Sequence, residues 1–155
     1  MSIKIDLKIF LFAIIFWLTK QIEIYALLMI LALIHECGHM VCGICLGLKP
    51  SSIKITPVGF QILFKNYIQD YNTKVRKGNE VCIKKITIAF AGPLVNIFIA
   101  IIAFFMPQNM AISKETLIYA NLMLAMFNLL PIYPLDGGRI LKEIVAIKKR
   151  KKKCI

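Results

Sequence analysis

The apolar residues of this chain fall into blocks long enough to cross a hydrocarbon layer, and that property decides where it can fold. A helix needs about 20 apolar residues to cross a bilayer. Residues 24–48, 86–106 and 116–133 form three such blocks. A fourth, residues 9–19, is short and spans only if residues 3–8 join it, with Lys4 and Lys8 snorkelling to the interface. With 59% hydrophobic residues and a mean hydropathy of +0.73, 155 residues are too apolar for one small water-soluble domain. The sequence predicts an all-α polytopic membrane protein, a single domain over residues 1–155. About four transmembrane helices are expected, at 3–19, 24–48, 86–106 and 116–133. No small-residue cleavage site precedes Lys20, so the first block reads as a retained segment rather than a secretory signal.

The chain carries 20 Lys and Arg against 8 Asp and Glu, a net charge of +12. Basic residues collect on the cytoplasmic side of membrane proteins. With the N-terminus inside, the loop at 49–85 and the tail at 139–155 also lie inside, and the outer side keeps only Lys20 and Lys114. Both termini are therefore expected in the cytoplasm. The basic run from Lys148 to Lys153 directly follows an apolar segment, where anionic lipid headgroups are a nearer partner than nucleic acid. Ile140, Leu141, Ile144 and Val145 recur at helical spacing beside Arg139, Lys142 and Glu143, as in an amphipathic helix on the inner face. Cys37, Cys42, Cys45, Cys82 and Cys154 lie in or beside the spans or in cytoplasmic parts, so no disulfide framework is expected.

Between the second and third spans, Ile53 and Ile55 alternate with Lys54 and Thr56, and Phe60, Ile62 and Phe64 keep that period beyond Pro57-Val58-Gly59. This pattern predicts a small interfacial β-hairpin. It fits either a strand that pairs with an extended substrate or a simple anchor. Residues 67–80 read as an exposed loop.

Chemistry concentrates in the second span, at His35-Glu36-Cys37-Gly38-His39. Residues four apart on a helix share a face, so His35 and His39 can bind one Zn²⁺, with Glu36 beside them as general base for an attacking water. Burying a Glu within a span costs about 3 kcal/mol on insertion scales, which marks it as a functional candidate. These are also the only two histidines in the chain. A zinc protease site needs a third protein ligand and an open position. Asp136 is the candidate, in Asn128-Leu129-Leu130-Pro131-Ile132-Tyr133-Pro134-Leu135-Asp136-Gly137-Gly138. Pro131 and Pro134 prevent a regular helix there, while Gly137 and Gly138 permit close backbone approach. The same stretch also fits a plain helix-terminating turn. Gly92, Pro93 and Asn96 interrupt the third span, and Asn96 needs a polar partner inside the bundle. Helix packing accounts equally for Gly92 and Pro93. Asn128, with Asn96, is a candidate for substrate or oxyanion support.

Together these stretches resemble the site-2 protease family of intramembrane zinc metalloproteases (peptidase family M50). The resemblance rests on His35-Glu36-x-x-His39, Gly92-Pro93-x-x-Asn96, and Asn128-x-x-Pro131 leading to Asp136-Gly137-Gly138, and covers roughly residues 24–140. It is strongest to the branch of stage IV sporulation protein FB. It implies one zinc ion held by His35, His39 and Asp136, Glu36 as base, and peptide hydrolysis in or near a bacterial cytoplasmic membrane. The implied substrate is a membrane-tethered protein, a pro-sigma factor in the sporulation branch, and inhibitory membrane partners are a further expectation. The chain is expected to carry neither the CBS domain of that branch nor an inserted PDZ domain. Two rival readings remain: a metal-ion transporter using the same polar groups, and a non-catalytic relative that binds a partner's transmembrane helix.

Overall fold

The structure is a computed structural model that describes residues 2–5, 8–56, 59–65, 75–107 and 113–152. The elements in chain order are β1 (Ser2–Ile5), α1 (Lys8–Leu18), α2 (Ile22–Cys45), β2 (Lys49–Thr56), β3 (Gly59–Lys65), α3 (Val75–Phe105), α4 (Lys114–Leu129) and α5 (Asp136–Lys152). The molecule is mostly helical, with one three-stranded sheet that an all-α description leaves out.

At 1.5 Å per residue, the 24 residues of α2 extend roughly 36 Å, enough for a hydrocarbon core of about 30 Å. A Schellman closure ends the helix. Gly47 takes a left-handed φ of 82°, its N–H donates to the Ile44 carbonyl at 2.9 Å, and Leu48 N–H donates to Gly43 at 2.9 Å. The chain then passes directly into β2.

The 31 residues of α3 extend roughly 46 Å, so it projects well past one side of such a core. Its projecting turns carry Arg76, Lys77, Glu80, Lys84 and Lys85. Residues 75–80, expected as loop, are helical: a helix already nucleated by the apolar segment continues through Lys and Glu, both good helix formers. Residues 67–74 of the expected loop lie outside the described residues. The helix also continues through Pro93.

Two helices among the described residues, α2 and residues 79–105 of α3, are long and apolar enough to cross a membrane. Their apolar windows are only 22% and 39% buried, so most of that surface faces outward, unlike the core helix of a soluble protein. Phe98, Phe104, Phe105, Met126 and Trp17 are among the large apolar side chains turned outward.

The helices at the other two expected spans have different bounds. Residues 3–5 belong to β1, and the helix after it has 11 residues, roughly 16 Å. Polar Lys4 and Asp6 interrupt the apolar run before a helix long enough to cross can begin. Helix α4 has 16 residues and starts at Lys114, where the Ser113 hydroxyl accepts the Thr116 N–H at 3.2 Å. It stops at Leu129 rather than residue 133, because the residue before a proline is driven out of the helical region. Leu130, before Pro131, has φ −59° and ψ 137°.

In the sheet, β2 pairs antiparallel with β3, with Ile53 opposite Ile62 and a register shift between Pro50 and Ser52. The turn residues Pro57 and Val58 lie outside the described residues. On its other edge β2 pairs in parallel with β1, Ser2 opposite Ser52 and Ile5 opposite Ile55. The sheet rests on α2 through β2 and β3.

Helix α3 is the hub, packed against α2, α4 and α5. Its buried Ala89, Ala100 and Ala103, with Ala125 of α4, let helices approach closely without a hydrophobic driving force. The basic end of α3 is tied to α5 by an ion pair, Lys85 Nζ to Glu143 Oε1 at 3.4 Å. Helix α1 is held to α2 by stacking of Phe16 on Tyr25, with ring centroids 4.8 Å apart and planes at 16°. Such a pair contributes roughly 1 kcal/mol beyond its buried area. Phe16→Leu, which keeps volume but not the stack, is therefore expected to lower the thermal unfolding midpoint in detergent by the equivalent of about 1 kcal/mol, and Phe16→Ala, which also loses buried area, to lower it further.

Candidate metal centre

Helix α2 projects His35 and His39 from one face, each 4% exposed, toward Asp136, which is 5% exposed at the first residue of α5. His35 Nε2 lies 3.0 Å from Asp136 Oδ2, His39 Nε2 lies 3.1 Å from the same oxygen, and the two Nε2 atoms are 3.1 Å apart. The donor atoms form a nearly equilateral triangle, drawn from chain positions 97 and 101 residues apart. Among the described residues this is the one group of His, Cys, Asp and Glu that could hold a metal ion.

The backbone around Asp136 accounts for its reach. Leu130–Leu135 is irregular, and the chain turns through Ile132 N–H to the Leu130 carbonyl at 2.7 Å and Leu135 N–H to the Ile132 carbonyl at 2.9 Å. Helix α5 restarts at Asp136 against this turn. A Cβ on Gly137 would collide with the carbonyls of Leu129 and Leu130, and one on Gly138 would meet the Ile132 carbonyl oxygen at 2.6 Å. The glycine pair thus lets the start of α5 lie directly on the chain that leaves α4, which brings the carboxylate inward to the depth of the histidines. Asp136 was expected on irregular backbone, and it sits one residue past it.

The third wall is α3. A Cβ on Gly92 would stand 2.5 Å from His39 Cε1 and Nε2 and 2.6 Å from His35 Nε2. Any side chain there would occupy the space between the imidazoles. One turn to either side along the same face, α3 supplies a polar partner to each ring. His39 Nδ1–H donates to the Ile88 carbonyl at 2.7 Å, and the Asn96 amide lies 3.1 Å from His35 Nδ1. With its proton on Nδ1, His39 presents an Nε2 lone pair to the triangle.

These groups suit a zinc ion. A tetrahedral ion with bonds of about 2.0–2.1 Å holds its donors about 3.3 Å apart, close to the separations found here. Two imidazoles and one carboxylate oxygen leave a fourth position free for water or substrate, and the Gly92 cradle keeps the triangle clear of side chains. The other Asp136 oxygen, Oδ1, lies 3.5 Å from Arg139 Nη1, which biases Oδ2 toward the histidines.

Glu36 follows His35 on α2 and is half-buried. Pro93 is fully buried and Pro131 is exposed. The two candidate amides part ways. Asn96 is 0% exposed and meets His35, whereas the Asn128 amide nitrogen donates to the Leu124 carbonyl of its own helix at 3.0 Å. Asn121, buried in α4 and donating to the Leu117 carbonyl at 2.8 Å, was not anticipated, nor were the Arg139 and Ile88 contacts. Arg139 stands three residues after Asp136, a spacing from which an ion pair on one helix face can be read. None of Cys37, Cys42, Cys45 and Cys82 is joined in a disulfide among the described residues.

The sequence profile of peptidase family M50 matches residues 23–115 and 113–154, nearly the whole chain beyond α1. This chain belongs to peptidase family M50. Among curated M50 relatives, a zinc metalloprotease of Methanocaldococcus jannaschii is 33% identical over 140 residues, 86% of this chain and 36% of that protein. Stage IV sporulation protein FB of Bacillus subtilis is 27% identical over 127 residues, 80% of this chain and 41% of that protein. The chain thus spans about two-fifths or less of the length of these M50 relatives. The solved site-2 protease from Methanocaldococcus jannaschii matches in fold with a TM-score of 0.71 at 28% identity, covering 97% of this chain and 71% of that one. Zinc is the metal of this metalloprotease family, and His35, His39 and Asp136 are the residues here with the geometry to hold it.

Gly92→Ala tests the cradle. Its methyl group must push both imidazoles aside, so zinc affinity measured by chelator competition is expected to fall at least tenfold, the lower end of losses typical when ligand orientation is disturbed.

Proposed function

We propose that this chain is an intramembrane zinc endopeptidase in which His35, His39 and Asp136 hold the metal and Glu36 is the general base. The observation that carries this reading is the convergence of three buried donors from α2 and α5 beside a glutamate, on helices whose apolar surface faces outward. Zinc held there supplies Lewis acidity that lets water attack a peptide carbonyl near neutral pH. Glu36 takes the proton from the attacking water and returns it to the departing amine, completing hydrolysis with one proton moved across the site. His39 is kept in its ligating form by the Ile88 carbonyl, and Arg139 holds the second oxygen of Asp136. Asn128, at the end of α4, is assigned to substrate contact: its nitrogen is engaged by Leu124, and the amide oxygen remains to accept from an extended chain.

Residues 1–155 form one membrane domain with both termini in the cytoplasm. Both termini inside take four crossings, by α1, α2, α3 and α4. The projecting basic turns of α3 and the basic end of α5 lie on the cytoplasmic side of a bacterial membrane, against anionic headgroups. The substrate is a membrane-tethered protein. Similarity to the sporulation branch makes a pro-sigma factor the first one to test, and inhibitory membrane partners are a further class to test.

The test compares the parent with Glu36→Gln, His35→Ala and Asp136→Asn in detergent. The parent and Glu36→Gln are expected to bind about one zinc, while cleavage of a membrane-tethered substrate falls at least 10²-fold in Glu36→Gln, the lower range for loss of a general base. His35→Ala and Asp136→Asn lose zinc and cleavage together. Zinc bound normally by Asp136→Asn would remove that residue from the ligand set. Topology is checked separately: a reporter fused after Lys152 is expected to be active only in the cytoplasmic compartment.

A further inference from the structure

The two histidines are oriented in different ways. The Nδ1 of His39 lies 2.7 Å from the Ile88 carbonyl, which can only accept, and 3.3 Å from the Gly92 N–H, which can only donate; the shorter contact, to the carbonyl, places the ring proton on Nδ1. The Nδ1 of His35 faces a side-chain amide, Asn96, whose two ends have nearly the same shape and opposite hydrogen-bonding character. With its nitrogen end toward the ring at 3.1 Å, the amide leaves Oδ1 buried without a partner among the described residues. In that orientation it also donates to Nδ1, which places the ring proton on Nε2, inside the donor triangle. A ligating imidazole needs the reverse: a lone pair on Nε2 and a proton on Nδ1 with an acceptor beyond it.

We infer that Asn96 is a positioning residue for the metal site, accepting the Nδ1 proton of His35 through its side-chain oxygen and so holding His35 in the tautomer that binds zinc. The inference rests on the zinc reading of His35, His39 and Asp136. It gives Asn96 a role distinct from substrate or oxyanion support. Two further facts support it. Asn96 is 0% exposed, so no bulk water can replace it as the acceptor. It also lies eight residues from Ile88 with Gly92 midway, so one face of α3 addresses the outer nitrogens of both rings on either side of the cradle.

Substitution separates accepting from donating. Asn96→Asp keeps the shape and can accept but, as a carboxylate, cannot donate; Asn96→Leu keeps approximate size and can do neither. Zinc affinity of each purified variant of the 155-residue chain would be measured by chelator competition, with cobalt absorption to read the ligand field and thermal unfolding of the metal-stripped protein to check the fold. Asn96→Asp is expected to bind zinc as tightly as the parent or more tightly, with a parental cobalt spectrum. Asn96→Leu is expected to bind 10–100-fold more weakly, as losses of such orienting partners do. If Asn96→Leu does not fold, Asn96→Asp decides alone. A tenfold or greater loss of affinity in Asn96→Asp overturns the inference, because it would mean that donation from the amide is what matters, and parental affinity in a folded Asn96→Leu overturns it as well. A parent that binds no zinc removes the metal reading and this inference together, whereas a parent that binds zinc beside a defective Asn96→Asp removes only the inference.

Discussion

Two imidazoles and a carboxylate, all nearly excluded from solvent, lie within 3.1 Å of one another at the meeting of three helices. Polar groups buried in an apolar bundle are costly unless each finds a partner, and here the partners come from three separate elements. The rest of the architecture follows from satisfying them. Helix α2 must keep its histidines one turn apart on the face toward α3. Helix α3 must come close enough for a main-chain carbonyl to reach His39, which only a glycine at position 92 allows. Helix α5 must begin inside the bundle rather than at its surface, and the broken segment after α4 brings it there.

The central row of α3 shows how one helix serves packing and chemistry together. Ile88, Gly92 and Asn96 stand four residues apart on one face, and they offer in turn a carbonyl, an empty space and an amide. Further along, buried Ala100 and Ala103 continue the face with small side chains only. Toward the other end, Lys85 reaches Glu143, seven residues along α5 from Asp136 and therefore on the same face of that helix. The ion pair and the metal centre thus fix α5 against α3 at two points, so the direction of Asp136 is set by a braced helix rather than by its own side chain.

Much of this centre was legible before any fold was known, because its information is local. His35 and His39 are four residues apart, and Asp136 stands out as a carboxylate flanked by prolines and glycines after an apolar block. The Asn96 contact with His35 was not legible: that the amide needed a partner was clear, but which partner depends on the register between α2 and α3, and spacing within one segment does not encode it. Strand β1 escaped notice for a related reason. Four residues of mixed polarity specify little by themselves, and they become a strand by pairing with residues 52–55. The lengths of α1 and α4 were overestimated because an apolar block marks where helix is permitted. Where it stops depends on particular residues, as Pro131 shows for α4.

The separation of the donors along the chain has a consequence for synthesis. His35 and His39 enter the membrane early, with α2, while Asp136 follows 97 residues after His39. At about 5–20 residues per second, a ribosome adds that interval in roughly 5–20 seconds. Throughout it the nascent chain holds two of the three donors, and the triangle cannot close. A zinc site built on this triangle is thereby incomplete until α5 has been inserted.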